Sequence, residues 1–311
     1  MKTQERASGA EPLTAEVWKE KDDTEVRWLG GAGFFVRARG AALLIDPCLW
    51  IGADGRAETG FAPFYPPVLR PEEVPAGTAV LYTHSDEDHL GRRTAEALKD
   101  AAFYGPAPCA RALSEIGREA ERVIRPGEKF AVGCIEIEAI PADHGWQSMD
   151  VKKYGAPFGP EDCVGYILRT PHAKLLFPGD TRLMPQHRAL PDDFDAMAFD
   201  VSADPWHMGA RDGAASVPRQ AAALPFWHLR RAGGRAPQRQ PDPCAGSAGG
   251  RSCAPCIRCH RRAGDLRRGI KRSKRIVLAQ IKPAAGITGG FLCMIRKAGE
   301  CGSACGTNYF G

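Results

Sequence analysis

The 311-residue sequence has no run of 18 apolar residues, which excludes an ordinary transmembrane helix. Its polar start, Met1 to Asp23, lacks the apolar stretch of a secretory signal, so the expected compartment is the cytoplasm. Thiols stay reduced there, and the 11 cysteines are expected as metal ligands, core residues or incidental positions rather than disulfides. Collagen, coiled coil and wholesale disorder are excluded by a composition of 43% hydrophobic and 25% charged residues. No internal repeat is present. The length allows one large or two small domains with a real core.

Acidic residues are scarce in one part of the chain only. Residues 219–311 hold 18 Lys and Arg against 3 Asp and Glu, while residues 1–218 hold 24 against 34. The overall net charge of +5 hides this break. Seven of the 11 cysteines also follow position 218. Three segments are therefore expected: a polar extension (1–24), a folded domain (25–218) and an atypical basic, Cys-rich tail (219–311).

Short apolar runs split by glycines predict strands at Glu25–Leu29, Phe34–Ala38, Ala41–Ile45 and Ala79–Thr83. Further strands are expected at Cys134–Ile140, Cys163–Leu168, Lys174–Phe177 and Ala196–Val201. A helix is expected from near His89 to Lys99, and an amphipathic one over Ala110–Glu121. Leu49–Pro75, rich in Pro, Gly and aromatics, reads as a long loop near a site. In the tail only Ile276–Ile281 and Gly290–Ile295 read as strands. The class is mixed α/β, two packed sheets with outer helices.

The segment Thr83-His84-Ser85-Asp86-Glu87-Asp88-His89-Leu90-Gly91 carries the most chemistry. It leaves an apolar strand and enters a helix. His84 and Asp86 are two apart and face the same way in an extended turn, while Asp88 and His89 open the helix from another angle. One loop can thus feed two adjacent metal positions. The bland alternative is a polar loop with an Asp-rich helix cap. Two later strand ends add His144, in Ile140-Pro141-Ala142-Asp143-His144-Gly145-Trp146, and Asp180, in Phe177-Pro178-Gly179-Asp180-Thr181.

The order Ile45-Asp46-Pro47, His84-x-Asp86-x-Asp88-His89, His144, Gly179-Asp180 resembles the metallo-β-lactamase fold superfamily. Trp28-Leu29-Gly30-Gly31-Ala32-Gly33-Phe34 and Phe158-Gly159-Pro160-Glu161-Asp162-Cys163-Val164-Gly165-Tyr166 look most like its ascorbate-6-phosphate lactonase-like branch. The resemblance covers roughly residues 25–217. It implies a four-layer αββα sandwich with two divalent cations at one edge of the sheets. Zinc is the expected ion, with manganese or iron as alternatives. By position, the resemblance gives His84, Asp86 and His144 to the first ion, Asp88 and His89 to the second, Asp180 to both, and a structural role beneath the site to Asp46.

The sequence departs from the pattern twice. Asp86 stands where the superfamily usually has a second His, which hardens the ligand set. The final His is the other departure. Trp206-His207-Met208 looks like the segment beside the substrate, and His228 sits 21 residues on, but Leu229-Arg230-Arg231 does not match the expected ending. The charge jump, the cysteine jump and the loss of pattern coincide, as a change of reading frame between about Ala214 and Ala232 would produce. Correcting one nucleotide of the DNA should then restore a His-Trp-Gly-Thr-like ending. The competing readings of the tail are a zinc knuckle on Cys253-x-x-Cys256-x-x-Cys259-His260, haem attachment at Cys256–His260, and a plain disordered extension.

The expected chemistry is metal-dependent hydrolysis of a small-molecule lactone or ester, or of a phosphodiester. Asp88, Asp86 and His207 are the catalytic candidates, with His84, Asp86, Asp88, His89, His144, Asp180 and His228 as metal ligands. The alternatives are a nucleic-acid-binding protein or nuclease using the basic tail, and a degenerate copy without its last ligand. Nucleic acid is the less favoured partner, and no membrane span is expected. His172 is expected at a surface hairpin, His187 in solvent, and Trp146 and Trp206 in the pocket wall.

Overall fold

Two tight glycine-containing turns set the first half of the fold. β1 (Thr24–Gly30), β2 (Gly33–Ala38) and β3 (Ala41–Ile45) form an antiparallel meander. Arg39 and Gly40 both take positive φ between β2 and β3, the geometry of a two-residue hairpin turn. The computed structural model describes residues 12–58, 61–62, 68–191, 193–200, 204–209, 222–225, 230–231 and 276–278. Contacts divide the chain into two units, residues 233–274 and the rest; every described residue belongs to the second of these.

The chain then adds parallel strands to the meander. A two-residue strand, β4 (Phe61–Ala62), stands in the long loop that follows β3. β5 (Ala79–Leu81), β6 (Ala102–Gly105) and β7 (Ala120–Val123) extend the first sheet beyond β3. Two helices accompany them, α1 (Arg92–Ala97) and α2 (Ala107–Glu115). The second sheet runs β8 (Lys129–Val132), β9 (Ile135–Pro141), β10 (Val164–Arg169), β11 (Lys174–Phe177), β12 (Ala196–Phe199) and β13 (Ala222–Pro225). It is antiparallel from β8 to β11 and parallel from β11 to β13. Short helices α3 (Val151–Tyr154) and α4 (Pro185–Arg188) lie in its connections. β14 (Arg230–Arg231) pairs with β4, and β15 (Ile276–Leu278) pairs with β1.

Alternation sorts the side chains of each strand between two layers. Phe34, Val36, Leu43 and Ile45 of the first sheet meet Ile137, Tyr166, Leu168 and Phe177 of the second in one buried core. Phe35, Leu44, Val80 and Tyr82 point the other way, onto Leu98, Cys109 and Leu113 of the α1–α2 layer. Ile140, Ile167, Leu176 and Met197 cover the far side of the second sheet with Phe194 and Leu190. This is the α/β sandwich of the metallo-β-lactamase fold. Its fourth layer is thin among the described residues, α4 and the segment after it. Burying about ten large side chains between two sheets is worth roughly 1.5–3 kcal/mol each before chain entropy is counted.

Local expectations met mixed outcomes. β3 and β11 match their sequence boundaries. The helix expected to Glu121 stops at Glu115, because Gly117 turns to a φ of +70° and the chain then forms β7. β6 and β8 were not anticipated. Gly290–Ile295 and the cysteines from Cys244 onward lie outside the described residues.

Candidate metal centre

The site grows from strand ends. β3 ends at Ile45, and Asp46 follows with a φ of +45°. Asp tolerates this left-handed conformation better than most residues. From there its carboxylate reaches the loop after β5. Asp46 Oδ1 accepts the Thr83 backbone N–H at 2.8 Å, and Oδ2 accepts the Thr83 hydroxyl at 2.7 Å. The same Oδ2 lies 2.9 Å from His89 Nδ1. The loop itself closes as a turn, with the N–H groups of His89 and Leu90 both donated to the Asp86 carbonyl. The His84 and His89 rings are thereby brought to 4.1 Å between centroids.

Two further loops complete the cluster. β9 ends at Pro141 and delivers His144, whose ring centre is 4.9 Å from that of His84. Gly179 and Asp180 follow β11. A side chain at Gly179 would meet Thr83 Cβ at 2.8 Å, so only glycine lets this loop approach the first one. The two loops are tied together: Thr181 Oγ1 accepts the Asp143 N–H at 2.8 Å, and Arg182 pairs with Asp143 at 2.7 Å.

Nitrogen and oxygen donors converge in three overlapping groups: His84 with Asp86 and His144, His84 with His89 and Asp180, and His144 with Asp180 and His207. Asp86 Oδ2 lies 3.3 Å from both His84 Nε2 and His144 Nε2. Asp180 Oδ2 lies 3.2 Å from His89 Nε2, 3.0 Å from His207 Nε2 and 4.0 Å from His144 Nε2. Trp146 donates its indole N–H to Asp86 Oδ2 at 2.7 Å.

Charge in the cluster is finely opposed. Burial works against ionising Asp86, but the positive charge offered by His84 and the hydrogen bond from His144 hold its carboxyl well below the usual carboxylate range. Burial likewise opposes the charged form of Asp180, but His89 and His207 outweigh it and hold the carboxyl well below its ordinary range. Burial would keep His89 neutral, yet Asp180 and Asp46 push it well above its ordinary value. His207 is also desolvated, and its hydrogen bonds to Asp180 and Asp204 raise it to about 11. Protons on His89 and His207 would balance the carboxylates, and a divalent cation would take over that task.

Two atoms test the fit of a metal directly. His84 Nε2 and Asp180 Oδ1 are buried and have no hydrogen-bond partner. A buried polar atom without a partner costs about 1–3 kcal/mol, and a cation supplies the missing partner. Imidazole with carboxylate suits Zn, Mn or Fe. The residues present therefore fit such an ion.

Of the ligands expected from sequence, the structure brings together His84, Asp86, His89, His144 and Asp180, and it adds His207. Asp88 belongs to none of the three groups; it is half-buried in the wall of a cleft of about 880 Å³. Asp86, Arg92, Trp146, Trp206 and His207 share that wall. His228 lies outside the described residues. His172 sits in the β10–β11 hairpin as expected, against Asp22. His187, expected in solvent, is instead 3% exposed. Its Nδ1 accepts the Met184 N–H at 3.2 Å and its Nε2 lies 3.0 Å from the Pro141 carbonyl, so it ties α4 to the end of β9. Asp200 and Asp204 were not singled out from sequence. For Asp200 the one signal was the recurring carboxylate just past an apolar strand, already used by Asp46 and Asp180.

The chain is similar to several known proteins. Residues 42–225 match the model of a family described as "Beta-lactamase superfamily domain". A "metal-dependent hydrolase" of Pyrobaculum arsenaticum is 28% identical over 62% of this chain and 78% of its own length. The protein named "Probable L-ascorbate-6-phosphate lactonase UlaG" in Escherichia coli O127:H6 is 30% identical over 50% of this chain, which spans 52% of that protein. A solved structure from Veillonella parvula, described as a possible metal-dependent hydrolase, aligns with 19% identity over 66% of this chain and 84% of its own, at a TM-score of 0.48.

Proposed function

The chain belongs to the β-lactamase superfamily domain family, and from that premise we propose that it is a metal-dependent hydrolase with two divalent cations in the His/Asp cluster. Its substrate on this reading is a lactone or another small ester, with a phosphodiester as the alternative. The observation that carries the proposal is the pair of buried atoms without a hydrogen bond, His84 Nε2 and Asp180 Oδ1, in the middle of the converging donors.

His84, Asp86 and His144 would hold the first cation, and His89 and Asp180 the second. Zinc is the ion we assign. Two such cations lower the pKa of a water and polarise a carbonyl or phosphoryl oxygen. Asp88, in the cleft wall but outside the ligand groups, takes the proton released as water attacks. Trp146 holds Asp86 in place through its indole N–H. Trp146 and Trp206 offer flat apolar walls to the body of the substrate. The lactone preference takes support from the name of the Escherichia coli relative.

The test is turnover of the purified full-length chain on an aryl lactone and on bis(p-nitrophenyl) phosphate, before and after chelation. The expected result is hydrolysis of the lactone that disappears with chelator, returns with zinc and changes little with salt. Turnover that survives complete metal removal would contradict the proposal. Binding of nucleic acid with a steep salt dependence, and no ester turnover, would favour the basic-tail alternative instead.

A further inference from the structure

Large apolar side chains that stand exposed are few among the described residues: Val123, Met149, Val151 and Tyr154. Scattered singly they would be ordinary surface, but three of these four fall between positions 149 and 154. The shape of that segment is set locally. Trp146–Met149 forms one helical turn, and Asp150 then caps α3 by accepting the Lys153 N–H at 3.2 Å. Gly155, at a φ of +84°, ends α3. The carboxylate inside the patch is thus engaged with the backbone, while Met149 is 60% exposed.

Trp146 joins this patch to the His/Asp cluster. Its indole N–H reaches Asp86 at 2.7 Å, and its ring meets that of Tyr154 edge-on, with centroids 4.8 Å apart. Trp146 and Met149 both line the cleft, where Pro205 and Trp206 add apolar surface. An apolar strip therefore leads from the candidate ligand Asp86 outward to Tyr154. This continuity favours a substrate over a second protein as its occupant.

Charge points the same way. Glu87, Asp88 and Asp204 line the cleft in addition to Asp86 and Asp180. Apart from the histidines, Arg92 is the basic side chain of that lining among the described residues, and it pairs with Glu115 at 2.7 Å. Lys153 stands outside the lining, with Nζ 2.8 Å from the Tyr154 hydroxyl and 4.6 Å from the centre of its ring. A phosphate on the body of a substrate would meet Glu87 and Asp88 at like charge. An uncharged, apolar body would meet Trp146 and Met149 without that penalty.

We propose that this strip selects the substrate: an uncharged lactone or ester with an apolar arm of several carbons, which lies on Trp146 and Met149 and reaches Tyr154. The inference rests on the hydrolase reading above and names the substrate class for it.

Two series of compounds test this on the purified, zinc-supplemented, full-length chain. Turnover is compared for γ-lactones with methyl, butyl and hexyl arms and for a phosphorylated sugar lactone. Binding is compared by calorimetry for 2-alkylcyclopentanones with the same arms, which cannot be hydrolysed. Both kcat/KM and affinity should rise about twofold to fourfold per methylene, and the phosphorylated lactone should be the poorest substrate. Met149→Ser, a change at an exposed side chain, should lower the hexyl-over-methyl ratio about tenfold in both series, chiefly through KM in turnover. Tyr154→Ser should lower it through the hexyl compounds alone. A flat series in either readout, a preference for the phosphorylated lactone, or equal ratios in wild type and Met149→Ser overturns the inference and leaves the hydrolase reading standing. A flat series with Met149→Ser converting a dimer to a monomer in gel filtration gives the strip to a second copy of the chain. No turnover of any lactone, even where binding tightens with arm length, overturns the lactonase reading and the inference with it.

Discussion

Trp146 donates its indole N–H to Asp86 Oδ2 at 2.7 Å, on the very oxygen that faces His84 and His144. The superfamily pattern usually has histidine where Asp86 stands. A carboxylate has two oxygens and a freer torsion than an imidazole. The tryptophan removes that freedom and draws on one lone pair, so Asp86 presents a defined direction to an ion.

Trp146→Phe should therefore weaken metal binding while preserving the fold. Loss of such an outer hydrogen bond costs roughly 10–100-fold in affinity. Competition against a chromogenic chelator measures it. An unchanged affinity would show that Asp86 is held by something else.

Asp46 reaches two side chains and one backbone amide from a left-handed conformation. Asp46→Ala leaves Thr83 and His89 with unmet buried hydrogen bonds. The expected cost is about 3 kcal/mol in urea unfolding of the metal-free protein. A change below about 1 kcal/mol would mean that the loop re-forms its contacts without the carboxylate.

His187 gives a pH dependence with a definite sign. Burial holds its pKa below the ordinary value, and the hydrogen bond to the Pro141 carbonyl only partly offsets this. Because its Nδ1 accepts the Met184 N–H, the native ring has to be neutral. The unfolded chain takes up this proton near pH 6.5, before the native protein does. The contribution to stability is thus full above about pH 6.5 and is lost as the pH falls through the lower, native value. Urea midpoints at about pH 7.5 and 5.5 should separate more in wild type than in His187→Gln. Equal separations would place the acid sensitivity elsewhere.

These residues also show what the sequence could and could not convey. The loop from Thr83 to Gly91 was legible because several ligand types crowd between an apolar strand and a helix. Asp46 and Asp180 were legible through the superfamily resemblance. Asp200 was not, because a carboxylate after a short strand is commonly a turn residue, and only the folded chain shows it beside His207. His187 was misjudged for a related reason: a histidine between Gln186 and Arg188 looks like surface, and its burial depends on the Pro141 carbonyl 46 positions away. The missed β8 is an edge strand of alternating exposure, with Lys129 and Ala131 outward and little apolar signal. At Gly117 a single left-handed residue ended a helix that apolar spacing alone would have continued.

The central claim is a paired metal site, and metal stoichiometry by elemental mass spectrometry tests it most directly. Purified wild type is compared with His84→Ala and Asp180→Ala, with folding checked by circular dichroism. The account predicts two equivalents of Zn, Mn or Fe in wild type. It predicts a loss in His84→Ala and a larger loss in Asp180→Ala, since Asp180 faces His89, His207 and His144 at once. Well-folded wild-type protein holding no metal, or an Asp180→Ala variant that keeps both equivalents, would contradict it.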